Sequence, residues 1–130
     1  MKVYLDNAAT TQMDEAVIEV MTKVMRKNFG NPSSIHSFGR ESRSLIETAR
    51  KNISAMVGVN PAEIIFTSGG TEADNMAIRC GMLDLGIKHA ITTKLEHHAV
   101  GHTLEILADK GDIKLSYVDV NDKGQVDLVH

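Results

Sequence analysis

From Ile64 onward the sequence alternates two hydrophobic periods, and that alternation leaves few architectures open. Ile64-Ile65-Phe66-Thr67 is a short apolar run of the kind a buried strand shows. A helical stripe through Ala73, Met76, Ala77, Cys80 and Leu83 follows, and then the strand-like Ala90-Ile91-Thr92-Thr93. A second stripe through Val100, Leu104 and Leu107, stopped by Gly111, leads to Lys114-Leu115-Ser116-Tyr117-Val118. Strand–helix–strand–helix–strand with short connections implies parallel pairing through right-handed crossovers. The predicted class is α/β, a three-layer αβα arrangement with a mainly parallel sheet.

Two helices are expected before that alternation. Residues 14–29 carry Val17, Ile18, Met21, Val24 and Met25 on one stripe. Asp14 and Glu15 open the stripe, while Lys23, Arg26 and Lys27 close it, and both sets complement the helix dipole. Gly30 is expected to supply a left-handed cap, and Asn31-Pro32 prevents continuation. A second stripe runs through Leu45, Ile46, Ala49, Ile53, Met56 and Val57 to Gly58. Asn60-Pro61-Ala62-Glu63 then combines an N-cap, a first-position proline and a capping-box acid, which predicts a single turn. At the other end Asn121-Asp122-Lys123-Gly124 reads as a turn. Val126-Asp127-Leu128-Val129-His130 begins a further element and stops, the pattern expected of a truncated chain.

The sharpest local signal is Phe66-Thr67-Ser68-Gly69-Gly70-Thr71-Glu72-Ala73-Asp74-Asn75, where a strand gives way to a helix. Two glycines let the backbone turn tightly and approach a ligand closely. The N–H groups of the helix's first turn, at its positive dipole end, then face an anion, and Thr71 adds a hydroxyl donor. The same residues also suit a plain strand-to-helix turn capped by Thr71. No lysine follows the glycines, so this is not a Walker loop, and it does not match G-x-G-x-x-G either.

Glu96-His97-His98 lies at the end of the second strand, on the same sheet edge as the glycine turn. A histidine there would stack on a ring or move a proton near neutral pH, or simply face solvent. His98 and His102 stand four residues apart, a spacing that permits shared metal ligation. Ala99 stands where H-E-x-x-H needs its glutamate, however, and no metal site is assigned. His36 belongs to the turn-rich loop Gly30-Asn31-Pro32-Ser33-Ser34-Ile35-His36, where a functional role and a helix-starting role are equally open. Cys80 falls on the apolar stripe of its helix and is expected to be an inert core residue.

Composition narrows the function classes. A net charge of −3 and a pI near 6.0 leave no electrostatic footprint for nucleic acid. Aromatic residues at 4% with no Trp argue against base-stacking surfaces. Cys80 is the single cysteine, so no internal disulfide forms and a reducing, cytoplasmic compartment is expected. No apolar run approaches the length of a membrane span.

Four segments together carry a family resemblance. They are Tyr4-Leu5-Asp6-Asn7-Ala8-Ala9-Thr10-Thr11, the loop from Gly30 to His36 with Gly39-Arg40, Thr67 to Asn75, and Glu96-His97-His98-Ala99-Val100. In this order and spacing they resemble the cysteine desulfurases, members of the class V aminotransferase family with the type I pyridoxal 5′-phosphate (PLP) fold. The resemblance covers essentially the whole chain. It implies that residues 1–15 form an N-terminal arm and residues 16–130 the first part of the PLP-binding large domain. Gly70 and Thr71 would hold the PLP phosphate, and His97 would stack on the pyridine ring and take part in proton transfers. Such enzymes convert L-cysteine to L-alanine and pass sulfur to an enzyme cysteine as persulfide, often for iron–sulfur cluster biogenesis. A homodimer and a sulfur-acceptor protein are the implied partners. The lysine that bonds the cofactor, the acid paired with its ring nitrogen and the sulfur-accepting cysteine lie further along the family pattern. This chain corresponds to about its first third and is expected to be inactive alone. Selenocysteine lyase or another class V activity, a stand-alone phosphate-ligand module and a non-functional truncation are the other readings.

Overall fold

The computed structural model describes residues 1–127. They separate into two compact units, Met1–Ile65 and a second that begins at Phe66.

In the first unit, α1 spans Glu15–Lys27 and α2 spans Ser37–Val57. Asp14 caps α1 by accepting from the Ala16 N–H, with Glu15 in the first turn and Arg26 and Lys27 in the last. The helix ends at Asn28 rather than at Gly30, whose φ is not positive. Gly30 is needed for a different reason. A Cβ there would lie 2.3 Å from the Phe38 carbonyl oxygen, so the residue is set by close approach.

The helix α2 begins eight residues before its expected apolar stripe. His36 caps it through Nδ1, which accepts from the Gly39 N–H at 3.4 Å. Of the two roles open to His36, the structure therefore uses it to start a helix. Gly39 is buried against the preceding loop, where an added Cβ would meet the Ser34 oxygen at 2.4 Å and the Asn31 oxygen at 2.7 Å. Gly58 ends α2 in the left-handed region at φ 73°, as its position predicts. Asn60 and Glu63 form the reciprocal capping box, in which Glu63 Oε2 accepts from the Asn60 N–H at 2.8 Å, and Asn60 Oδ1 also accepts from the Ala62 N–H at 2.9 Å.

The second unit is a parallel α/β layer. Helix α3 spans Gly70–Arg79 and continues into a π-helical turn, Cys80–Asp84. Strand β1 (His89–Thr93), helix α4 (His98–Asp109) and strand β2 (Lys114–Val118) follow. β1 and β2 pair in parallel from His89 opposite Lys114 to Thr93 opposite Val118. Ala90, Leu104, Leu107 and Ile113 make the core, with Ile78, Met82, Val100, Ala108 and Leu115 packed around it.

The sheet has two strands where three were expected. Ile64-Ile65-Phe66-Thr67 takes no place in the ladder. Its apolar residues supply strand propensity, but a strand forms only against a partner edge, and Ile65 stays 64% exposed. The Arg50 guanidinium instead donates to the Ile64 carbonyl. Asn121–Gly124 forms the expected turn, closed by an antiparallel bridge between Val120 and Val126. The rest of the expected terminal element, residues 128–130, lies outside the described residues. No helix among the described residues is long and apolar enough to cross a membrane.

Gly39→Ala is expected to cost about 1–3 kcal/mol in denaturant unfolding, because backbone oxygens must move to admit the methyl. Gly101→Ala within α4, where an added Cβ meets nothing within 4 Å, is expected to stabilise by about 0.5–1 kcal/mol. Leu107→Ala, at a side chain 1% exposed, should cost about 2–5 kcal/mol. Equal midpoints for the two glycine variants would refute the close-packing account.

Candidate functional site: two helix starts at one end of the second unit

The Gly69-Gly70-Thr71 turn opens α3. Gly69 is extended, at φ 165° and ψ 178°, and no side chain caps the helix. A Cβ on Gly69 or Gly70 would meet nothing within 4 Å, so the space over the turn is open. The first amides of a helix have no partner within it, and here they are joined by the exposed hydroxyl-bearing Thr71. That donor set suits an anionic oxygen.

Glu72 defines one border of the turn. Its Oε2 accepts from the Ser68 N–H at 2.6 Å and from the Ser68 hydroxyl at 2.7 Å. These bonds, the backbone one first, hold the carboxyl below its ordinary range. Ser68 is thereby occupied, so an anion would have the Gly70 and Thr71 side of the turn.

His97 opens α4 as its N-cap. Its Nδ1 accepts from the Ala99 N–H at 3.1 Å, an interaction the sequence reading did not anticipate. A ring nitrogen that accepts carries no proton, so the neutral ring holds its hydrogen on Nε2. The residue is exposed, and its ring stands 5.9 Å from that of His98.

The two helix starts are joined through Asn75. Its Nδ2 donates to the Thr71 carbonyl at 2.8 Å and to the Ala99 carbonyl at 3.4 Å, and its Oδ1 lies 2.8 Å from the Thr103 hydroxyl, whose one proton it shares with the Ala99 carbonyl. Sequence reasoning assigned neither Asn75 nor Thr103 a role. The available signal was a poor helix former in mid-helix, which needs a bonding reason to be there.

His98 and His102 lie with ring centroids 4.8 Å apart in a groove of about 330 Å³ shared with Glu96, Glu105 and Tyr117. Glu105 accepts from the Tyr117 hydroxyl at 3.0 Å. Among the described residues, no three histidine, cysteine or acidic side chains converge as a metal-binding group. Cys80 is exposed rather than in the core, because its helix packs through Ile78 and Met82, and Ala73, Met76, Ala77 and Leu83 on the expected stripe are exposed with it. Its Sγ lies 3.3 Å from Asp84 Oδ2, and the hydrogen bond and charge of Asp84 push the thiol upward.

Two outcomes follow for titrating groups. A carboxyl with a depressed folded value stabilises its turn above the unfolded value and loses that contribution as pH falls through the folded one. In an acid titration, the Ser68 amide resonance should therefore move with a midpoint below 4.5, and Glu72→Gln should remove the transition. Alkylation of Cys80 by iodoacetamide at pH 8 should be slower than that of a free cysteine, and Asp84→Asn should speed it. A faster rate in the parent chain would contradict this account.

Comparison with known proteins places the chain in a family. The Aminotransferase class-V family matches residues 3–130. IscS 1 of Bacillus subtilis (strain 168) is 56% identical over 128 residues, covering 96% of this chain and 33% of its own. The cysteine desulfurase IscS of Dictyoglomus turgidum is 48% identical over 128 residues, covering 97% and 32%. Among solved structures, a NifS-like protein superposes with a TM-score of 0.87 at 40% identity, covering 99% of this chain and 36% of its own. The chain thus spans about a third of the length of these curated relatives. With its parallel α/β unit and a family match over residues 3–130, the chain belongs to the class V aminotransferase family.

Proposed function

We propose that this chain forms the amino-terminal part of a PLP-dependent cysteine desulfurase, with Gly70 and Thr71 holding the cofactor phosphate and His97 serving its ring. The observation that carries the reading is the uncapped, open start of α3, joined through Asn75 to the helix that His97 caps. The residues fit the group. Backbone amides and a hydroxyl suit phosphate oxygens, and an exposed imidazole suits an aromatic ring. PLP would supply an electron sink for carbon–sulfur chemistry on L-cysteine.

Within this chain the division of labour is simple. Gly70 and Thr71 bind and orient. Glu72 keeps Ser68 engaged and so narrows the anion's position to the following residues. His97 presents its ring, with Nδ1 held by the Ala99 N–H. Residues 1–15 form an arm, and residues 16–130 belong to the large domain. The cofactor-bonding lysine, the ring-nitrogen acid and the persulfide-bearing cysteine would come from other parts of the protein. A cytoplasmic homodimer that passes sulfur to an acceptor protein completes the reading. The exposed apolar stripe of α1, which includes Val17, Ile18, Met21 and Met25, is consistent with further contacts in such an assembly.

The test uses pyridoxine 5′-phosphate, which carries ring and phosphate without an aldehyde that would label surface lysines. Titrated into the 130-residue chain, it should shift the Gly70 and Thr71 amide resonances saturably. Thr71→Val should weaken binding by roughly tenfold, the value of one hydrogen bond to a charged group. The chain alone should release no sulfide from L-cysteine in the presence of PLP. Shifts confined to other segments, or sulfide production abolished by His97→Ala, would overturn the assignment.

A further inference from the structure

Ala99 is the point on which the two helix starts meet. Its N–H is held by His97 Nδ1 at 3.1 Å, and its carbonyl accepts from Asn75 Nδ2 at 3.4 Å and lies 2.8 Å from the Thr103 hydroxyl, whose single proton is shared with Asn75 Oδ1. Thr103 is 5% exposed and Ala99 6%, so these polar groups sit where water does not readily replace a lost partner. The amide orientation of Asn75 is determined by its neighbours. Nδ2 faces two carbonyl oxygens and Oδ1 faces a hydroxyl, and a flip would set oxygen against oxygen. One side chain on α3 thus bonds the carbonyl of Thr71 in the anion turn and the residue that fixes the His97 ring.

We propose that Asn75 is a positioning residue, which with Thr103 sets the separation between the phosphate turn at Gly70–Thr71 and the imidazole of His97. This inference rests on the cofactor reading above and adds to it the element that makes two separate helix starts into one bidentate site. A ligand with both a ring and a phosphate needs both ends correctly spaced, whereas a phosphate alone needs only the turn. Asn75 therefore governs discrimination between these two ligands rather than anion binding itself.

The experiment measures affinities of the 130-residue chain for pyridoxine 5′-phosphate and for inorganic phosphate by titration calorimetry. The parent should prefer the ring-bearing ligand by roughly two- to tenfold, the size of one aromatic contact. Asn75→Ala and Thr103→Val should bring that ratio close to one, with inorganic phosphate affinity held within about twofold. Thr103→Ser, which keeps the hydroxyl, should behave as the parent. A variant that merely loosens the fold would weaken both ligands together, and that result would overturn the inference. So would an unchanged ratio in Asn75→Ala while the parent still discriminates, a result that leaves the cofactor reading standing. Failure of both ligands to bind the Gly70–Thr71 turn in the parent would remove that reading and the inference with it.

Discussion

Two parallel strands cannot be joined by a tight turn, and the second unit is organised around that constraint. The chain leaving β1 at Thr93 must travel back before it can enter β2 at Lys114 beside His89. Helix α4 makes that journey. Its apolar side, Leu104 and Leu107, closes the core with Ala90 of β1 and Ile113 beside β2. Because the crossover starts where β1 ends, the first turn of α4 and the residue that caps it stand at the carboxyl edge of the strand pair. This is the edge where open α/β sheets place their ligands. The position of His97 is thus a consequence of the crossover.

Polar bonding then refines what the apolar core leaves loose. Apolar contacts hold α3 and α4 together without direction, since burial depends on area alone. The bonds among Thr71, Asn75, Ala99 and Thr103 are directional and admit one register. Glu72 does similar work at the other side of the glycine turn by tying Ser68. The first unit shows the same division on a smaller scale. Its helices bury no large side chain, yet the loop before α2 is sharply defined by Gly30 and Gly39, which the neighbouring backbone crowds.

Several differences between expectation and structure share one cause. Ile64–Thr67 has the composition of a buried strand, Gly30 the identity of a helix cap, and Cys80 a place on an apolar stripe. Each of these is a local property. Pairing edges, close approaches and the choice of the helix face that packs are not local, and they decided the outcome at all three positions. His36 and His97 carry the complementary lesson. Both are helix caps in which Nδ1 takes a backbone N–H, a use of histidine that residue type alone does not announce.

Periodicity and capping chemistry by themselves determined most of the elements. Asp14, Gly58, the Asn60–Glu63 box and the strand–helix–strand order from Ala90 to Val118 are all legible because they depend on neighbours within a few residues. The glycine turn and the histidine at the strand end were legible as candidates on one sheet edge for the same reason. Tertiary structure alone decided how they are joined, since the link runs from Asn75 to Ala99 and Thr103 across more than twenty intervening residues. Hydrogen bonds of that span are set by how two helices pack, and no short-range pattern in the chain encodes them.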